Sequence, residues 1–402
     1  MGRKIYLGLF LAGLLITIAA ASLEFSPGYM DADYYYAGAL RLISGQGGSE
    51  PYVWNYLNDP AGLPAPSFSY WMPLVSVLAA GGLAAAPALG FWGARLGFIL
   101  LAACVPPLTA LISFRLTNKP PLARLAGLFA LIPGFYLAYL PTTDGFSIYM
   151  VLGSLFFLLS MGEGDGLERW PWEVRLFALG ILAGLLHLTR ADVLLWLAGA
   201  GWVALSAFMR GRRPALDQKP ELRHMHLVSF GLAVLAGYIL IMAPWYARNL
   251  GAWGSLFPPG GSRAIWITEY EQTMLYPASL LTPQHWLAAG WLDHLQTWKN
   301  AFINNAQTAV GVQGQIVLFP FMLFGMWKLR RCSAVRLGGL MWAATAGVMT
   351  LVFPFAGING GFFHSGAGIQ PLLWAVAPVG LEGMMFEYAR WRKVLSPQEI
   401  YH

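Results

Sequence analysis

The chain has 402 residues, 57% of them hydrophobic and only 11% charged, with a formal net charge of +6. A soluble domain carries about 25% charged residues, so most of this surface faces something other than water. The basic balance is no nucleic-acid signal, because Lys and Arg are confined to short clusters between apolar runs. Two cysteines, Cys104 and Cys332, supply neither a disulfide framework nor a cysteine-based metal site.

Several runs have the length of roughly 17–25 apolar residues that a membrane helix needs: Ile5–Ala21, Trp92–Phe114, Val193–Met209, Leu227–Trp245 and Leu337–Phe355. The alternating segments of about ten residues that mark a membrane β-barrel are absent. In chain order, Arg3-Lys4 precedes a helix predicted over 5–22. Its exit, Ala19-Ala20-Ala21, has the small residues of a signal peptide. The apolar stretch is long for one, which makes it an anchor.

Next comes Tyr29-Met30-Asp31-Ala32-Asp33-Tyr34-Tyr35-Tyr36. Holding carboxylates near hydrocarbon costs hydration free energy, so acids where a membrane helix emerges into water are candidate functional residues. Asp31 is placed to take a proton from a hydroxyl. Asp31 and Asp33 together would hold a divalent cation such as Mg²⁺ or Mn²⁺. Tyr34 and Tyr35 would stack on a sugar ring. The plainer role for Asp33 is to cap a helix starting near Tyr34.

The remaining helices are predicted near 92–114, 125–141, 145–161, 176–190, 192–209, 227–246, 311–327, 337–356 and 370–387. Arg3-Lys4, Arg115–Arg124, Arg169–Arg175, Arg210–Arg223, Lys328–Arg336 and Arg390–Lys393 hold nineteen of the 25 basic residues. Positively charged loops stay cytoplasmic. With all six clusters inside, the spans alternate and the N-terminus is cytoplasmic. Trp71–Gly90 is also long enough to cross, which would give eleven spans. Crossing would invert every later loop, and Pro73, Gly81-Gly82 and Pro87 suit an irregular segment at the outer surface. The expectation is an all-α polytopic membrane protein of about 10–11 transmembrane helices with outer-side interfacial helices. It forms one membrane domain over 1–402, with outer loops at 23–91, 247–310 and 357–369 and a cytoplasmic tail at 388–402.

Outer loops collect the remaining candidates. Asp144 lies in the short turn Pro141-Thr142-Thr143-Asp144-Gly145, where an ordinary Asx turn is the plainer role. Arg190 and Arg248 end helices on the side that disfavours positive charge, at the depth of a lipid phosphate. Snorkelling, or an ion pair of Arg190 with Asp192, would also account for them. His364, in Gly360-Gly361-Phe362-Phe363-His364-Ser365-Gly366, adds a donor to a loop whose backbone N–H groups can approach an anion. Glu269 and Tyr270 are placed to touch an acceptor, though Glu269-Tyr270-Glu271 also reads as a solvated face. His285, Asp293 and His294 are too loosely spaced for a metal site. No nucleotide-phosphate loop or dinucleotide fingerprint is present.

Asp31-Ala32-Asp33-Tyr34-Tyr35, followed by Ala39-Leu40-Arg41-Leu42 and Gly45-Gln46-Gly47, resembles the first outer loop of the GT-C glycosyltransferases. That superfamily includes protein O-mannosyltransferases and the bacterial aminoarabinose transferases. Tyr70-Trp71-Met72-Pro73-Leu74 before Ala94-Arg95-Leu96 is similar to the family's surface-lying aromatic element. Leu188-Thr189-Arg190 is similar to its Leu-Thr-Lys turn, and Ala243-Pro244-Trp245-Tyr246-Ala247-Arg248-Asn249 to the segment opening its second large outer loop. The order and spacing cover most of the chain. The family's second acid directly follows the first, whereas Ala32 stands there in this chain.

The resemblance implies a polyprenyl-phosphate sugar donor, a glycan, lipid or protein hydroxyl as acceptor, and an integral, multi-pass location in a bacterial plasma membrane. It puts Asp31 at the catalytic acidic position and an acid at Asp144 near the active site. The phosphate is held by Arg190, Arg248 and His364, with no nucleotide required. The competing classes are a lipid or polysaccharide flippase and a non-catalytic membrane scaffold. A transporter gathers polar groups at the membrane midplane, whereas here they gather at the edge.

Overall fold

A computed structural model describes residues 2–161, 170–209, 220–274 and 277–392. Its helices are α1 (Arg3–Ser22), α2 (Met30–Ile43), α3 (Leu74–Ala85), α4 (Phe91–Thr117), α5 (Pro120–Leu131), α6 (Phe146–Ser160), α7 (Trp172–Thr189), α8 (Val193–Met209) and α9 (Pro220–Trp253). They continue as α10 (Pro259–Ala264), α11 (Pro283–Ala288), α12 (Trp291–Gln307), α13 (Phe319–Lys328), α14 (Ser333–Leu351), α15 (Pro354–Ile358), α16 (Gly361–Gly366) and α17 (Gln370–Arg392). The described strands are β1 (Ser49–Glu50) and β2 (Ala65–Pro66), paired antiparallel. The fold is all-α and polytopic, as expected.

Among the described residues, five helices are long and apolar enough to cross a membrane: α1, α4, α7, the Leu227–Trp253 part of α9, and α14. Shorter apolar helices, α3, α5, α6 and α8 among them, fill the bundle. Trp71–Gly90 folds as α3 and a short 3₁₀ turn, Pro87–Leu89. Twelve residues at about 1.5 Å each span about 18 Å, well short of the roughly 30 Å hydrocarbon core. Two expected spans are broken. The run 125–141 ends as α5 at Leu131, because Pro133 supplies no N–H, and resumes as the 3₁₀ segment Gly134–Ala138. The run 311–327 divides into a π-helical end to α12, Thr308–Gln313, and the short α13. Gln315 and Ile316 at positive φ turn the chain between them. Of the basic clusters, Arg169, Arg210–Lys219 and Lys393 lie outside the described residues, as does the tail from 393.

The centre of the bundle is α17, whose residues from Gln370 to Pro378 are all buried. It packs closely on α13 because Gly380 of α17 and Gly325 of α13 let the two backbones meet. A Cβ on Gly380 would overlap the Phe321 carbonyl oxygen, and one on Gly325 would overlap that of Val376. Backbone cannot yield there as a flexible side chain would. Gly380→Ala should therefore cost about 1–3 kcal/mol or more. It should lower the melting temperature of the detergent-solubilised chain, while the open-sited Gly347→Ala changes it little.

At one end of the bundle, the chain between α1 and α4 meets the chain between α9 and α12. Leu57, Ala264, Ile267, Ala278 and Leu281 form a small apolar cluster flanked by Tyr70 and Trp266. Tyr56 N–H donates to the Thr273 carbonyl (3.0 Å), Gly260 N–H to Ser69 (3.1 Å), and Arg263 pairs with Asp59 at 3.6 Å. These links hold the two long loops together above the helix ends that carry the site.

Candidate functional site

Asp31, Asp144 and His364 each offer one ligand atom within 4.8 Å of the other two. They come from the first turn of α2, the turn before α6, and α16. His364 Nε2 lies 3.6 Å from Asp31 Oδ2 and 3.3 Å from Asp144 Oδ2.

Each group is positioned by its own local structure. Arg95 of α4 is fully buried and donates to the carbonyls of Ala21 (3.0 Å) and Glu24 (3.2 Å) where α1 ends. It also lies 3.5 Å from the Glu24 carboxylate. This clamp sets the corner from which α2 starts. The Tyr29 hydroxyl crosses to Asp144 Oδ2, and Thr143 Oγ1 donates to the Ala32 carbonyl at 2.8 Å. The Gly145 N–H donates to Asp144 Oδ1. His364 sits in the single turn of α16, which starts after Gly360 at φ +90°. Its Nδ1 bonds the Gly360 carbonyl at 2.9 Å, and its ring lies on Phe146 with centroids 4.5 Å apart.

The electrostatics separate the two carboxylates. Burial raises Asp31 above the usual carboxylate range and Asp144 raises it further, against His364, Arg190 and an indole hydrogen bond from Trp71. Burial also works to raise Asp144, but the nearness of His364, whose Nε2 lies 3.3 Å away, with the Tyr29 hydroxyl and Gly145 N–H, outweighs it and brings Asp144 below that range. A carbonyl only accepts, so Nδ1 carries the ring proton. Nε2 is buried without a hydrogen-bond partner and faces two carboxylates. That geometry calls for a proton or a metal cation between them.

The other sequence candidates divide. Asp33 is exposed and outside the cluster, because residues two apart on a helix point to nearly opposite sides. The expected Asp31–Asp33 cation pair is thus replaced by Asp31, Asp144 and His364. Tyr35 is buried near the cluster: burial raises its hydroxyl well above the ordinary value, followed by the charges of Asp144 and Asp31. Tyr34 is an anchor rather than a sugar platform. Its hydroxyl donates to Glu50 (3.0 Å) and accepts from Phe68 N–H (2.8 Å), and its ring packs on Trp54, Phe68 and Trp71. Arg190 ends α7 within electrostatic reach of Asp31 and Asp144, and it lies 3.8 Å from Asp192. Arg248 is committed elsewhere. It donates to the carbonyls of Gly48 (3.1 Å) and Ser67 (2.6 Å) and stacks on Trp245 and Trp253. Glu269 is exposed, and Tyr270 is half-buried close enough for Asp31 to raise its hydroxyl after burial does. Sequence reasoning gave no site role to Tyr29 or Trp71, although both stand inside the motifs it quoted, and it gave Asp192 only an ion pair with Arg190, which lies at 3.8 Å.

Glu50 gives the loop a pH dependence. Burial pushes its carboxyl up from 4.5 to about 7, although Tyr34 donates to it and Arg248 and Arg41 attract its charge. A raised folded-state value means the loop's stability is full below the unfolded value of about 4.5 and declines as pH rises through about 7. The melting temperature should therefore fall between pH 5 and pH 8, and Glu50→Gln should flatten that slope.

No family model and no curated protein matches the chain. Solved structures do match, and with the bundle above they show a fold shared with an archaeal oligosaccharyltransferase. One is the oligosaccharyltransferase of Archaeoglobus fulgidus tethered to an acceptor peptide, at TM-score 0.52 and 15% identity over 98% of this chain and 51% of that one. The same enzyme with Zn and sulfate matches at TM-score 0.51 and 15% identity, over 96% and 50%. AglB from the same organism, with an inhibitory peptide and a dolichol-phosphate, matches at TM-score 0.51 and 14% identity, over 97% and 52%. The chain thus spans about half the length of these proteins.

Proposed function

We propose that this chain is an integral membrane glycosyltransferase that moves a sugar from a polyprenyl-phosphate donor to a hydroxyl acceptor at the outer membrane face, with inversion. The observation that carries the reading is the meeting of Asp31, Asp144 and His364, remote in sequence, at one end of a GT-C bundle with Arg190 beside them. A flippase would need such groups along a path through the membrane.

In this mechanism a glycan, lipid or protein hydroxyl enters beside Asp31. The carboxylate takes its proton as the oxygen attacks the anomeric carbon. The anomeric C–O bond breaks with its electron pair going to the phosphate, which leaves as polyprenyl phosphate. That leaving group is already anionic, so no general acid is required, unlike glycoside hydrolysis. Arg190 supplies positive charge where the phosphate departs. Trp71 bonds Asp31, and Tyr70 and Tyr270 lie within its electrostatic reach, so these rings would take the substrate-contact role expected of Tyr34.

The imidazole nitrogen and two carboxylates fit a divalent cation, with Zn²⁺ or Mn²⁺ suiting this donor set better than Mg²⁺. Asp31, Asp144 and His364 would hold such a cation, which would supply positive charge to the site. On this reading the N-terminus lies in the cytoplasm of a bacterial cell, and 1–402 is a single membrane domain with outer loops at 23–91, 247–310 and 357–369.

The test uses labelled polyprenyl-phosphate sugar and proteoliposomes. An enzyme releases polyprenyl phosphate and labels an acceptor. Donor that crosses the membrane intact would identify a flippase, and donor left where it was would leave only a scaffold.

A further inference from the structure

A second chain of polar contacts stands behind the cluster. Trp196 Nε1 donates to the Tyr149 hydroxyl at 2.7 Å, and the Tyr149 hydroxyl donates to Asp192 Oδ1 at 2.8 Å. The direction is fixed, because an indole only donates and an ionised carboxylate only accepts. Trp196 and Tyr149 are fully buried, so Asp192 Oδ1 is held rigidly. Its Oδ2 faces Arg190 Nε at 3.8 Å, and neither of these two buried atoms has a hydrogen-bond partner.

Tyr149 is linked to Asp144, to Arg190 and to the segment that carries His364. It lies one turn into α6 from Gly145, whose carbonyl accepts its N–H at 2.8 Å, and Gly145 adjoins Asp144. It reaches Arg190 through Asp192. It reaches the His364 segment through Gly368: a Cβ there would lie 2.6 Å from Trp196 Cζ2 and 3.0 Å from Tyr149 Cδ1. Thr189, next to Arg190, lies against Gly145, where an added Cβ would be 3.1 Å from its Cγ2.

We propose that Asp192 and Tyr149 are positioning residues that hold Arg190 by its Nε edge and aim its guanidinium at the phosphate of the donor. An arginine side chain has many rotamers, and fixing it beforehand lowers the entropy that phosphate capture must overcome. Holding the Nε edge leaves the two terminal nitrogens for the fork-like pairing that phosphate oxygens favour. The phosphate target rests on the function proposed above, whereas the anchoring of Arg190 does not.

Two measurements on the full chain in detergent separate these parts. The first is the rate at which phenylglyoxal modifies Arg190, read by peptide mass spectrometry with no ligand present. Asp192→Asn and Tyr149→Phe should each accelerate it several-fold, and Asp192→Glu, which keeps the charge, should restore slow modification. The second is the affinity for farnesyl phosphate. Arg190→Ala, Asp192→Asn and Tyr149→Phe should each weaken it, the latter two by about 10–100-fold, the range seen when a residue orienting a ligand group is lost. In the Arg190→Ala background, neither of those two should add anything. Unchanged Arg190 reactivity overturns the proposal, as does an Asp192→Asn effect equally large without Arg190. Accelerated modification in a chain that never binds farnesyl phosphate upholds the anchoring and refutes the donor reading instead.

Discussion

Asp31→Asn is expected to slow sugar transfer in proteoliposomes by about 10²–10⁴-fold, the usual contribution of a general base. The substitution keeps the size and planarity of the side chain and removes its charge, and with it the capacity to take a proton or to hold a cation. Asp31 is a costly residue for the fold, since burial and the charge of Asp144 both oppose its ionisation. The Asn variant should accordingly melt no lower than wild type, and a rise would fit the usual conflict between stability and activity at a charged site. Loss of rate with retained stability separates a chemical role from a structural one. Asp33→Asn serves as the control, because that exposed side chain lies outside the cluster and its loss should leave the rate within about two-fold, as for a surface change. Near-normal transfer by Asp31→Asn, with donor and acceptor saturating, would remove the residue from the mechanism.

Asp31 stands out in the sequence because acids are scarce in this chain and this one follows the first apolar helix. The bundle was legible for a related reason: membrane helices need long apolar runs, and the basic clusters punctuate them. The failures have physical causes. A run of apolar residues does not report whether it stays one helix, and 311–327 is broken by positive φ at Gln315 and Ile316, residues that carry no such signal. Arg248 looked like a phosphate ligand because its position at a helix end was visible, whereas the Gly48 and Ser67 carbonyls that occupy it come from a distant loop. Tyr34 was misassigned for the same reason, its partners Glu50 and Phe68 being brought to it only by the folded loop. Asp33 is a different kind of miss, because the helical period already puts it opposite Asp31. The union of Asp31 with Asp144 and His364 depends on contacts between elements more than a hundred residues apart, which no local pattern encodes.

His364→Ala and Asp144→Asn should each abolish tight binding of Mn²⁺ or Zn²⁺ to chelator-treated protein, measured by calorimetry or, for Mn²⁺, by electron paramagnetic resonance. The argument is one of donors and acceptors. With Nδ1 occupied at the Gly360 carbonyl, Nε2 turns a lone pair toward two carboxylates unless a proton or cation intervenes. Losing a residue that merely orients a ligand lowers metal affinity about 10–100-fold, and losing a ligand atom should cost no less. Asp144→Asn also disturbs the fold. One amide oxygen cannot accept from both the Tyr29 hydroxyl and the Gly145 N–H while its NH₂ turns away, so a buried donor loses its partner, at about 1–3 kcal/mol. His364→Ala lacks that penalty on the Tyr29–Asp144 pair, so the two variants should lose the cation alike yet melt differently. Cation binding should also raise the melting temperature of wild type in proportion to the logarithm of its concentration, and leave His364→Ala unmoved. A wild-type chain whose stability ignores Mn²⁺ and Zn²⁺ would mean that a proton, held between His364 and the two carboxylates, is what the site contains.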